Sequence, residues 1–174
     1  QDGWIFLILQ EDLDRHPIRE ALHDFHPRTN VIGVKKTTSG QAATCMLASD
    51  ELDDTAELMI ASCDYETVYD QEAWGKILRD ETIDGAIWTI RLGGLPIKNP
   101  QAFAYCKIDF DKRTVLEISE KKTISGHPQF DPLVVGTFWY RKAGLFKQGA
   151  THLIENDIRV NGEHYVGTSI NHLI

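Results

Sequence analysis

Four short stretches carry the residue types that phosphate and metal chemistry needs. The sharpest is Leu58-Met-Ile-Ala-Ser-Cys-Asp64, an apolar run that turns polar at Ser62 and ends in a carboxylate. If the run is a strand, Asp64 stands at its carboxyl end, where open α/β sheets bind their ligands. Tyr65, Glu66 and Asp70 follow closely. Such an acid can hold a divalent metal and, through it, a phosphate; the plainer alternative is a cap on the next helix. Thr37-Thr-Ser-Gly-Gln41 opens a helical stretch. Free N–H groups at a helix start suit a phosphate, and the Gln41 amide suits the edge of a base, unless Ser39 is an ordinary cap. In Glu117-Ile-Ser-Glu-Lys-Lys122, Lys121 or Lys122 can bind a phosphate as a point charge while Glu120 accepts hydrogen bonds from sugar hydroxyls; the alternative is a solvated run of charge. Gly136-Thr137 interrupts an apolar strand pattern, where a glycine admits a ligand to the backbone or marks a bulge.

Other chemistries lack support. There is no Gly-x-Ser-x-Gly elbow and no Walker loop. His16, His23 and His26 hint at a metal, but no cysteine lies near them in sequence.

The elements that must position these stretches follow from periodicity. Trp4 to Leu9 and Leu58 to Ala61 are unbroken apolar runs, the signature of strands buried on both faces of a parallel sheet. After Leu9, Asp12 or Asp14 is placed to cap a helix, Pro17 suits a first helical turn, and Ile18, Leu22 and Phe25 recur at helical spacing up to Pro27. Val31 to Val34 is a short strand, Gln41 to Ala48 a helix, Gln71 to Arg79 another, and Gly85 to Ile90 a strand. Strands and helices thus alternate as far as residue 90, which predicts a mostly parallel sheet with right-handed crossovers. Beyond that, Phe103 to Ile108 and Val115 to Ile118 read as a hairpin, Leu133 to Tyr140 as a long strand and Ala143 to Glu155 as a helix. Asn161-Gly162 is a turn, and Val166 to Ile174 a closing helix.

A chain of 174 residues with 42% apolar and 25% charged residues suits one soluble domain, residues 1–174. A net charge of -8 makes a nucleic-acid backbone an unsuitable partner. No apolar run reaches membrane-spanning length, and the stretch at 4–9 is too short and lacks the basic flank of a signal peptide. Cys45, Cys63 and Cys106 are few, scattered and set among apolar residues, as expected of reduced core thiols in a cytoplasmic protein.

Taken in order, five pieces make the chain resemble the sugar-phosphate nucleotidyltransferases, the enzymes that make nucleotide-diphosphate sugars. They are Thr38-Ser-Gly-Gln-Ala-Ala-Thr-Cys-Met-Leu-Ala48, Leu58 to Asp64, Val115-Leu-Glu-Ile-Ser-Glu-Lys121, Val135-Gly-Thr-Phe-Trp-Tyr140 and Arg159-Val-Asn-Gly-Glu-His-Tyr-Val166. The resemblance implies a three-layer α/β/α, Rossmann-like fold. It implies magnesium-dependent condensation of a nucleoside triphosphate with a sugar 1-phosphate, releasing pyrophosphate. By the same resemblance, Gly40, Gln41 and Ala42 bind the nucleotide and Asp64 is a catalytic magnesium ligand. Glu120 and Lys121 bind the sugar phosphate, and Gly136 and Thr137 line the sugar pocket.

The chain departs from the family in two places. Nothing in it matches the family's opening strand and Gly-rich triphosphate loop, so the domain is expected to be N-terminally incomplete and inactive alone. A missing segment or a second copy of the chain is expected to complete its sheet. Near the last motif the family supplies another metal ligand, usually Asp. Thr168-Ser-Ile-Asn171 stands there instead, with Glu163 or Asn171 as substitutes. Two other readings remain: a nucleotide-sugar-dependent glycosyltransferase, whose Asp-x-Asp motif Asp64-Tyr-Glu66 resembles, and a non-catalytic nucleotide-sugar-binding or assembly module.

Overall fold

The computed structural model describes residues 3–64 and 66–174. The apolar run Trp4–Leu9 forms β1, and Thr29–Val34 forms β2; the two pair in parallel from Trp4 opposite Thr29 to Leu9 opposite Val34. The crossover between them is two short helices, α1 (Gln10–Arg15) and α2 (Ile18–Phe25). Neither Asp12 nor Asp14 caps a helix. Pro17 occupies the N-cap of α2, and His16 before it is extended at φ -134, the conformation a following proline imposes. No residue of β1 is buried, and Trp4 is half exposed. β1 hydrogen-bonds to β2 alone among the described strands.

After α3 (Gln41–Met46) come β3 (Leu58–Ile60), α4 (Gln71–Arg79), β4 (Gly85–Ile90), β5 (Ala104–Asp109), β6 (Thr114–Glu120), β7 (Leu133–Tyr140), α5 (Ala143–Glu155) and α6 (Val166–Ile170). The expected mostly parallel sheet is not what these strands build. β3 and β4 run in the same direction, as a crossover through α4 requires. Both nevertheless pair antiparallel with Phe138–Tyr140 of β7, which lies between them. β5 pairs antiparallel with β6 and, at Tyr105–Leu133, with β7. The main sheet is therefore antiparallel in every pairing. Alternation cannot reveal this, because the strand that separates β3 from β4 is supplied more than forty residues later by the long run Leu133–Tyr140.

β7 organises the packing. Successive side chains of a strand point to opposite faces. Phe138 and Tyr140 join Ala42, Phe146, Ala150, Leu153 and Val166 in one buried cluster, beneath α3, α5 and α6. Trp139 points the other way, with Trp74 of α4 edge-on at 5.3 Å between ring centroids and Trp88 of β4 5.0 Å from Trp74. Helices thus cover both faces of β7. Burial of a side chain of Leu or Phe size contributes about 1.5–3 kcal/mol, so this cluster is the main hold on the fold. α4 is fixed at both ends. Asp70 caps it by accepting from the backbone N–H of Glu72 and Ala73. Arg141 donates to the carbonyls of Leu78, Asp80 and Ile83 at its far end.

Three further expectations change. β3 is not buried on both faces: Met59 is 44% exposed, because β3 is a three-residue strand hydrogen-bonded to β7 alone. Cys63, in the loop after it, is exposed rather than a core thiol, whereas Cys106 is buried. The closing helix stops at Ile170 and continues as turns. No helix among the described residues is long and apolar enough to cross a membrane.

Candidate functional site

The site is assembled by a tight turn. Asn161 and Gly162 both have positive φ, 51 and 84, the requirement of a two-residue type I′ hairpin turn. Val160 and Glu163 close it with reciprocal backbone bonds of 3.0 Å. The turn delivers Glu163 and His164 to the Thr37–Gln41 loop. There the backbone N–H of His164 donates to the Ser39 carbonyl at 2.7 Å, and the Ala42 N–H donates to the His164 carbonyl at 2.9 Å. Gly40, between them, has φ +121. A Cβ there would stand 2.5 Å from the His164 nitrogen and 2.7 Å from its carbonyl oxygen. Only glycine tolerates both that backbone region and that approach.

Beside this junction lies a cavity of about 350 Å³, the size of a small-molecule site. Its apolar wall is Leu7 and Leu9 at the carboxyl end of β1 and Val34, the last residue of β2. Its polar wall is Thr37, Thr38, Gly40, Gln41, Thr44 and Glu163. It therefore opens at the carboxyl ends of the two parallel strands, where α/β folds take their ligands. Of the residues predicted for the nucleotide, Gly40 and Gln41 line the cavity. Ala42 does not; its side chain is fully buried in the core, and it contributes the N–H that anchors His164.

The predicted sugar-phosphate residues form a second group around Tyr165. Glu120 ends β6 against Gly167 of α6. Burial pushes its carboxyl up to about 7, only partly offset by the Lys121 charge. Lys121 sits at φ 57; its ammonium donates to the Ala102 carbonyl at 2.7 Å and lies 5.5 Å from the centre of the Tyr165 ring. Burial pushes the Tyr165 hydroxyl up to about 12, with the nearby Glu163 and Glu120 carboxylates adding to the effect. Glu163, which lines the cavity, is thus also close to this second group.

Gly136 has φ 88. Pairing of β7 with β4 jumps from Phe138 opposite Ile87 to Val134 opposite Thr89, so Gly136 marks a bulge. Thr137 is buried, with its hydroxyl 3.2 Å from that of Thr67. This contact ties the loop carrying Asp64 to β7. Asp64 itself is exposed and does not line the cavity. Asp70 is committed to its helix cap, Glu66 is exposed, and Tyr65 lies outside the described residues. No three of His, Cys, Asp and Glu among the described residues gather at metal-binding spacing. Asn171 is also committed elsewhere. Its oxygen accepts from the Ile118 N–H and its nitrogen donates to the Ile118 carbonyl, both at 2.8 Å, so it locks the chain after α6 to β6 rather than waiting for a metal.

Sequence reasoning passed over His164, Tyr165 and the Asn171 lock. The Asn161-Gly162 pair was the signal for the first two, since a I′ turn had to aim the residues after it at something.

No protein-family model matches the chain, and no curated protein does. Among solved structures, the chain superimposes on UDP-glucose pyrophosphorylase complexed with UDP-glucose, with a TM-score of 0.62 and 10% identity. The match covers 98% of this chain and 69% of that one. At that identity the likeness establishes the fold: a mixed α/β fold resembling that of a sugar nucleotidyltransferase.

Proposed function

We propose that this is a nucleotidyltransferase-like domain that, when supplied with a triphosphate-binding loop, joins a nucleoside triphosphate to a sugar 1-phosphate and releases pyrophosphate. One observation carries the reading: a cavity at the carboxyl ends of β1 and β2, walled by the Gly40–Gln41 loop and Glu163, in a fold shared with a structure that holds UDP-glucose. The nucleotide occupies that cavity, its base beside Gly40 and Gln41, whose amide reads the base edge. The sugar phosphate lies toward Glu120, Lys121, Gly136 and Thr137. Its phosphate oxygen attacks the α-phosphorus in line, and pyrophosphate leaves with the electron pair of the broken P–O bond. No protein nucleophile is needed. The chain's task is to hold two anions together, which calls for cationic screening. Lys121 supplies part of that by exchanging the Ala102 carbonyl for the sugar phosphate. Magnesium would supply the rest, with Glu163 on the cavity wall and Asp64 in the loop after β3 as its proposed carboxylates.

The test is pyrophosphate release across the common nucleoside triphosphates and sugar 1-phosphates with magnesium, with chromatography of the products. For the domain supplied with a Gly-rich triphosphate loop, pyrophosphate and a nucleotide sugar are expected, and Asp64→Asn should abolish magnesium-dependent turnover without changing the thermal melt; the chain without that loop is expected to release none. A free nucleoside diphosphate formed from a nucleotide sugar would identify a glycosyltransferase instead. Unchanged turnover in Asp64→Asn would remove Asp64 from the site.

A further inference from the structure

We infer that His164 is a positioning residue: it sets the shape of the Ser39–Gln41 loop and so tunes the affinity of the cavity for nucleotide. This rests on the nucleotide reading of that cavity. His164 is 1% exposed and lies beneath the loop. Its backbone grips Ser39 on one side and Ala42 on the other, so Gly40 and Gln41 bridge two fixed points along the cavity wall. Its ring adds what the backbone lacks. Nδ1 lies 3.0 Å from the Ser39 hydroxyl, holding that side chain in addition to its main chain.

The remaining ring nitrogen explains why an imidazole is used. Nε2 is buried without a hydrogen bond, and Asp157 Oδ1 lies 3.8 Å away. Asp157 is held at 2.5 Å by Arg159, which also donates to the Gly162 carbonyl in the turn that delivers His164. A carboxylate on that side favours the tautomer with its proton on Nε2. Nδ1 is then left as the acceptor, and the Ser39 O–H donates to it. Arg159, Asp157, His164 and Ser39 thus line up from the surface to the loop, with the Ser39 hydroxyl bonded to Nδ1 and the Asp157 carboxylate 3.8 Å from Nε2. A phenylalanine would fill the space and keep both backbone bonds, but would leave the Ser39 hydroxyl without this partner. An asparagine places its amide oxygen where Nδ1 stands, the same number of bonds from Cβ.

The experiment compares wild type, His164→Phe, His164→Asn and Ser39→Ala. Each is titrated calorimetrically with ATP, GTP, CTP, UTP and dTTP, and separately with glucose 1-phosphate. Amide hydrogen exchange is followed at Ala42. His164→Phe and Ser39→Ala are expected to weaken the nucleotide that wild type prefers by roughly tenfold, with affinity for glucose 1-phosphate unchanged. His164→Asn is expected to recover most of the loss, and exchange at Ala42 to be faster in both His164→Phe and Ser39→Ala, since each frees the loop that this N–H closes. Wild-type nucleotide affinity in both His164→Phe and Ser39→Ala would overturn the inference, as would a His164→Asn no better than His164→Phe. If His164→Phe fails to fold, Ser39→Ala decides. If wild type binds none of the five nucleotides, the functional reading fails. Exchange at Ala42 then decides the positioning role alone, and an unchanged rate in His164→Phe would overturn it.

Discussion

Glu120 offers a test in which the sign and size of the effect follow from its surroundings. Burial against α6 raises its carboxyl from 4.5 to about 7, and the neighbouring Lys121 charge only partly reverses this. A carboxyl whose folded value is raised carries a penalty that is absent below its unfolded value and complete above its folded one. Between pH 4.5 and about 7 the native state therefore binds more protons than the unfolded state, and stability must fall as pH rises. The full rise corresponds to about 3 kcal/mol. Glu120 is half-buried, and solvent screening reduces the figure to about 1–3 kcal/mol. The perturbation is Glu120→Gln, which keeps the shape and removes the charge. Urea unfolding of both proteins at pH 5 and pH 8 isolates the term, since the other titrating groups cancel in the difference. Glu120→Gln should gain on wild type by about 1–3 kcal/mol between the two pH values. Parallel stability profiles would refute the reasoning, and a wild type that gains on the variant would reverse its sign.

Gly40→Ala must accommodate a Cβ against the His164 backbone at a φ of +121; a thermal or urea melt should show a loss of about 1–3 kcal/mol or more, with nucleotide binding reduced in parallel. Lys121→Ala should weaken glucose 1-phosphate binding much more than nucleotide binding in calorimetry, whereas the exposed neighbour Lys122→Ala should change neither; equal effects from both would favour a solvated run of charge. Asp70→Ala removes a cap that satisfies two N–H groups of α4 and should lower stability by about 1 kcal/mol in urea melts while leaving ligand binding intact, which checks that Asp70 is a cap and not a metal ligand.

What the sequence determined by itself is local. The runs Trp4–Leu9, Gln71–Arg79, Gly85–Ile90, Leu133–Tyr140 and Ala143–Glu155 form the elements their periodicity predicts, because hydrophobic alternation and helical spacing are written within a few residues of each other. The bulge at Gly136 and the turn at Asn161-Gly162 were legible for the same reason, since positive φ leaves its mark on residue type. Tertiary structure alone decided which strands meet and which polar groups remain available. β7 enters between β3 and β4 and makes the sheet antiparallel, and β3, with only β7 beside it, leaves Met59 exposed. Gly40 is indispensable because of a histidine 125 residues from Ser39 in the chain. Asn171 and Asp70 look like free ligands in one dimension, yet Ile118 and the first turn of α4 have already taken their hydrogen-bonding atoms. The physical reason is shared: backbone N–H and C=O groups must find partners, and which partner is near is a property of the folded chain.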